Sequence, residues 1–187
     1  MLTEAIEAAR SSGLSPEEVH RVLGALRGIH GFIDPTASVH PSATVWHYSV
    51  ILGNVVIGEG VSIGSHCEIG RGCRIGARSR IGSFTFLPPN TVIGEDTFIG
   101  PHVAMSDDMH PKVRSVEDGP YDARPPVIGN RVAVGLGAVL LPNITIGDDA
   151  RIAAGAIVTK DVMVRGFVRG EPARARSIST ASQEAWR

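Results

Sequence analysis

The chain is poor in the features that mark nucleic-acid binders, membrane proteins and disulfide-stapled secreted domains. Its 187 residues carry 18 Lys and Arg against 19 Asp and Glu, a formal net charge of −1. That leaves no basic field to attract nucleic acid or an anionic membrane. No apolar run approaches the roughly 18 residues a membrane span requires, and the N-terminal residues lack a signal-peptide pattern. A cytoplasmic protein is therefore expected. There are two cysteines, Cys67 and Cys73, and they are expected to pack as reduced thiols, not as a disulfide. The length suits one domain with a sizeable core.

What the chain has instead is a period of six. From Ile33 to Met105 every sixth residue is aliphatic: Ile33, Val39, Val45, Ile51, Ile57, Ile63, Ile69, Ile75, Ile81, Leu87, Ile93, Ile99 and Met105. Two residues before most of them stands a slim side chain, such as Val61, Cys67, Cys73, Ser79, Thr85, Thr91, Thr97 or Val103. After a break the series restarts in a new phase at Ile128, Val134, Leu140, Ile146, Ile152, Val158 and Val164. Slim, polar, aliphatic is the period of two of a short strand. Glycine makes up 22 of the 187 residues, above the usual 7% or so, and where it follows the aliphatic it permits a sharp bend. Three strands and three bends make a coil of eighteen residues, and stacked coils make a solenoid with one narrow core. An all-β solenoid is predicted over residues 32–166.

Residues 1–31 fall outside the repeat. Ser15-Pro16-Glu17-Glu18 reads as a capping box, with Leu14 and Val19 as its hydrophobic staple. Val19, Val22, Leu23, Leu26 and Ile29 then share one helical face, so a helical cap over the first coil is expected. Residues 106–127 interrupt the period with a polar, proline-bearing stretch expected to leave the solenoid as a loop. Residues 167–187 read as a polar tail.

Three stretches carry a resemblance to a known family. Ile99-Gly100-Pro101-His102-Val103-Ala104-Met105-Ser106-Asp107-Asp108-Met109-His110-Pro111 resembles the corner of hexapeptide-repeat acyltransferases where a His-Pro pair opens a loop. The run from Val132 through Val162, and Gly170-Glu171-Pro172-Ala173-Arg174, are similar to that family's signature and closing tail. The resemblance spans about residues 33–177 and implies a left-handed parallel β-helix, although parallel crossovers are otherwise nearly always right-handed. It implies acetyl-CoA as acyl donor, no metal, and a homotrimer whose sites lie in clefts between subunits.

By the same resemblance His110 is the general base, a role suited to an imidazole that titrates near neutrality. Backbone N–H groups at Leu136 and Ala154, eighteen residues apart, would meet the pantetheine arm, with the Gly135 amide as oxyanion donor. Thr159, Lys160 and Arg174 match positions near the nucleotide end of the donor. Asp107 and Asp108 are candidates to orient His110 or bind the acceptor, and Arg80 and Phe84 lie where acceptor contacts fall. Ala133 replaces a tryptophan common in small-molecule members. Val45-Trp46-His47-Tyr48 and the following Gly53–Gly58 stretch look instead like nucleotide-activated amino-sugar N-acetyltransferases, and Trp46 is either a base-stacking ring or a corner cover.

The expected reaction is acetyl transfer to an amino or hydroxyl group of a sugar, free or nucleotide-linked. O-acetylation of a non-sugar small molecule is the alternative. A γ-type carbonic anhydrase, built on three imidazoles around zinc, would show two histidines five residues apart, and none of the seven here are. His66 and His102 do align in one outward column, among otherwise mixed residues. A non-catalytic β-helix scaffold is the remaining class.

Overall fold

The computed structural model describes Gly13, residues 31–113, Gly119 and residues 122–170. The expected N-terminal helices and most of the C-terminal tail lie outside these residues. What is described is a left-handed parallel β-helix of about seven coils, built from twenty two-residue strands.

The strands fall on three faces. The first face runs from Phe32–Ile33 through Glu68–Ile69 and Phe86–Leu87 to Ala104–Met105 and Ile157–Val158. The second runs from Ser38–Val39 to Thr145–Ile146, and the third from Thr44–Val45 to Phe167–Val168. All pairings are parallel and in register, for example Ile57↔Ile75 and Ile63↔Ile81. Every inward aliphatic therefore sits on the aliphatic of the next coil. Ile51, Ile63, Ile69, Leu87, Ile99, Val134, Leu140 and Ile146 are all fully buried.

The slim positions fill the corners of the core and tie coils together. Ser49 Oγ donates to the Gly64 carbonyl at 2.7 Å and accepts the Cys67 amide at 3.1 Å. Ser79 repeats the arrangement between Gly94 and Thr97, and Thr97 repeats it between Gly129 and Val132. Cys67 and Cys73 are buried free thiols. Burial raises both pKa values, that of Cys73 to about 11.

Above the first coil nearly every corner carries one residue with positive φ, and the three corners fill that position differently. Between the first and second faces stand Asn54, Gly72, Asn90 and Asn143, residue types at ease in that backbone. Between the second and third faces the column starts at Gly60 and above it charge alternates: Arg78, Asp96, Arg131, Asp149. Arg78 Nε reaches Asp96 at 2.7 Å and Arg131 Nε reaches Asp149 at 2.8 Å. Between the third and first faces stand Tyr48, His66, Phe84 and His102, followed by Gly137 and Gly155.

Two sequence boundaries are corrected. Val164 is 62% exposed and does not continue the core; Val162 and Val168 close it instead. Phe167–Val168 pairs with Arg151–Ile152, so the solenoid runs past the expected end at residue 166. The phase slips because Gly166 closes a tight turn back to the Met163 carbonyl at 2.8 Å.

Leu87→Ala removes a fully buried side chain and should lower unfolding free energy by about 2–5 kcal/mol in a denaturant titration. The Cys67 and Cys73 thiols should be inert to a thiol reagent in the native protein and react in denaturant. Hydrogen bonds from Arg78, Arg131 and Asn130 hold the Asp96, Asp149 and Asp148 carboxyls below the ordinary carboxylate range. A depressed folded-state pKa stabilises above the unfolded value, so this contribution is complete above about pH 4 and is lost as pH falls further. Arg131→Gln should accordingly flatten the acid limb of the thermal stability profile.

Candidate active site

The period breaks where the ladder itself breaks. On the first face each coil donates an amide upward, as Leu52 does to Ile69 and Gly70 does to Leu87. The next donor in the series is Pro88, which has no N–H to give to Met105. One coil after this interruption the chain leaves the solenoid. Register resumes at Val92↔Val127, so this coil takes 35 residues in place of 18. Its neck is closed by the Arg124 amide donating to the Asp107 carbonyl at 2.8 Å, and by Asn143 donating to the Arg124 carbonyl at 2.8 Å.

His110 sits beyond that neck, exposed, against a cavity of about 210 Å³ lined by Asp108, Met109, His110, Asp122 and Arg124. Asp108 Oδ1 accepts the His110 backbone N–H at 2.8 Å, so this carboxylate shapes the turn that presents the imidazole. Asp107 is buried at the neck. Arg124 Nε donates to Asp122 at 2.7 Å across the cavity mouth, and that pair holds the Arg124 guanidinium more strongly protonated than usual.

The expected donor-binding residues lie at a different corner. Leu136 and Ala154 are exposed on the edge between the third and first faces, one coil apart, and Gly155 donates to the Leu136 carbonyl at 2.8 Å. At three other turns a side chain one coil on accepts the comparable amide: Ser83 Oγ takes Ser65 N–H, Asn130 takes Glu95 and Asp148 takes Asn130. Ala154 offers no such oxygen, and among the described residues the Leu136 and Ala154 amides have no acceptor. They form a bare pair of donors. Gly135 departs from expectation: its N–H donates to the Ile152 carbonyl at 2.8 Å, inside the coil ladder, and is not available to a ligand.

Within one chain His110 and the Leu136–Ala154 edge are not brought together. The loop opens after the first face, whereas Leu136 and Ala154 precede it, and neither lines the His110 cavity. Thr159 and Lys160 are exposed just after the Ile157–Val158 strand. Arg174 lies outside the described residues. Arg80 projects from the third face and Trp46 is 41% exposed at the foot of the Leu136 edge.

The reading of mixed residues around His66 and His102 needs correction. Counting by six blends three corners; counting by eighteen gives one column of rings. Tyr48, His66, Phe84 and His102 stack with centroid separations of 4.9, 4.7 and 4.9 Å, the upper two pairs within 10° of parallel. Phe84 lies between the two imidazoles, so they do not converge on a shared ion.

Comparison with known proteins places the repeat. Residues 36–71 and 125–160 match the model of the bacterial transferase hexapeptide (six repeats). The chain is 42% identical over 64 residues to a chloramphenicol acetyltransferase of Agrobacterium fabrum, covering 34% of this chain and 31% of that protein. It is 39% identical over 75 residues to the galactoside O-acetyltransferase of Escherichia coli K12, covering 40% of this chain and 37% of that one. It thus spans about a third of the length of these curated relatives. A UDP-N-acetylglucosamine acyltransferase from Campylobacter jejuni shares the fold, with a TM-score of 0.52 at 16% identity over 84% of this chain and 76% of that one.

The backbone around the edge makes a sharp prediction. A Cβ on Gly135 would collide with the Ala154 amide nitrogen, whereas one on Gly137 would meet nothing within 4 Å. Gly135→Ala should lower stability by about 1–3 kcal/mol. Gly137→Asn places a left-handed-tolerant residue in open space and should leave the melting temperature nearly unchanged.

Proposed function

We propose that this chain, whose coils carry the hexapeptide repeats of bacterial transferases, is an acyl-CoA-dependent acyltransferase, with acetyl-CoA as the donor. The observation that carries the reading is the bare edge at Leu136 and Ala154. Two amide donors one coil apart, with no acceptor among the described residues, suit the amide carbonyls of a pantetheine arm laid along the solenoid axis. Thr159, Lys160 and Arg174 would meet the nucleotide end of that donor. The relatives are an acetyltransferase of chloramphenicol and one of galactosides, and these names support the class.

The acceptor in this reading is an amino or hydroxyl group on a sugar, free or nucleotide-linked, with Arg80, Phe84, Asp107 and Asp108 on its side of the site. The similarity to a chloramphenicol acetyltransferase favours O-acetylation of a non-sugar small molecule as the second reading. The acceptor group loses its proton to the His110 imidazole as its lone pair attacks the thioester carbon. The thiolate of CoA leaves and is reprotonated. Because His110 and the Leu136–Ala154 edge lie on different corners of one chain, the complete site needs the loop of a neighbouring subunit, as a cytoplasmic homotrimer would supply.

His110→Ala should preserve the melting temperature and reduce kcat by about 10²-fold or more in an acetyl-transfer assay. Near-full activity would remove His110 as base and leave the acceptor amine to act unaided. A shared site also has a signature in mixing: His110→Ala chains and Ala154→Trp chains, each inactive alone, should regain activity when refolded together. Persistent inactivity of the mixture would place both halves of the site in one chain.

A further inference from the structure

With the Gly135 amide occupied inside the coil, the thioester oxygen needs another donor, and the ring column supplies one. Tyr48 and Phe84 adopt φ of 61° and 60°, a conformation costly for bulky side chains and one that concentrates at functional sites. The matching corner between the first and second faces is filled by Asn and Gly. The column therefore departs from the cheapest solution the same solenoid uses one corner away. Stacking fixes each ring: His102 lies 4.9 Å from Phe84 and 6° from parallel with it.

The column stops at His102. The next two positions up the same edge are Gly137 and Gly155, where an added Cβ would meet nothing within 4 Å. Gly137 N–H donates to the Pro101 carbonyl at 2.9 Å, which sets the Leu136–Gly137 peptide directly over Pro101–His102. The upper face and edge of the His102 imidazole thus open into a notch two coils tall, beside the Leu136 N–H, which has no acceptor among the described residues.

We propose that His102 is a second donor to the thioester carbonyl: its ring N–H, together with the Leu136 amide, holds the oxygen on which charge develops. This rests on the donor lying along Leu136 and Ala154. The acceptor lone pair forms the new bond to the carbonyl carbon, and the C=O π pair moves onto the oxygen facing His102. Collapse of that oxyanion restores the carbonyl and expels CoA as thiolate, while the acceptor's proton passes to the base. An imidazole locked by stacking needs little reorganisation to do this, which is the condition under which such donors are effective.

The test uses imidazole ¹H–¹⁵N spectra of the full chain, with the His102 signals assigned by their loss in His102→Asn. That variant keeps a residue already used at φ near 60° in this solenoid, as at Asn90 and Asn143. Calorimetry reports donor binding separately. The expected result is that acetyl-CoA shifts the His102 signals beyond the shift given by CoA, which lacks the carbonyl, while those of His66 stay in place. His102→Asn should bind CoA as before and lose any preference for acetyl-CoA over CoA. Bound acetyl-CoA with unmoved His102 signals overturns the assignment and leaves the donor site intact. Equal shifts with CoA and acetyl-CoA place His102 on the arm and not at the carbonyl, which also overturns it. Absence of binding by either ligand overturns both this inference and the acyltransferase reading.

Discussion

Everything in this molecule depends on the register of one coil upon the next. Parallel strands two residues long gain almost nothing alone; they persist because each inward aliphatic lies on its counterpart eighteen residues away and each outer amide finds a carbonyl there. Ile63↔Ile81 and Ile99↔Val134 are the same contact repeated. A core so narrow tolerates little variation in side-chain length, so the inward columns are nearly all Ile, Val and Leu. Variation is confined to the outward positions, the corners and the single loop.

The corners show how one backbone requirement can be met with different chemistry. All three carry a left-handed residue in nearly every coil. One corner takes Asn and Gly, which accept that backbone readily. A second takes Arg and Asp in alternation and offsets the strain with ion pairs, each modest because both partners are solvated. The third takes stacked rings and then bare glycine. The change from ring to glycine falls between His102 and Gly137, across the coil from which the loop departs. A chain that had to satisfy only its own packing had Asn available at every one of these positions.

The fold was legible because the aliphatic period is local and unbroken: a reader needs only spacing to see coils, and Leu87 or Ile99 follows from counting. The loop was legible for the complementary reason, since residues 106–126 break the count and carry four prolines. The site was legible only in part. The resemblance points to Leu136 and Ala154 and their spacing of eighteen stacks them, but whether an amide is free depends on what stands one coil above it. Nothing in the run Val134-Gly135-Leu136 tells which of the two amides faces inward to Ile152. The ring column was missed because counting in sixes mixes the three corners; only the eighteen-residue register separates Phe84 from Arg78 and Asn90. The phase slip at Val164 turns on a tight turn at Gly166 that no period records. His110 was chosen from its motif, and its separation from the donor edge is a fact of which corner each occupies.

The account stands on the bare Leu136–Ala154 edge being the seat of an acyl-CoA donor, and the most direct measurement is the melting temperature with and without acetyl-CoA. Ligand at 100 times its Kd should stabilise the native chain by about 2.7 kcal/mol, and Ala154→Trp, which fills that edge, should abolish the shift without lowering the ligand-free melting temperature. An unchanged melting temperature across millimolar acetyl-CoA, or a shift that survives Ala154→Trp in full, would contradict it.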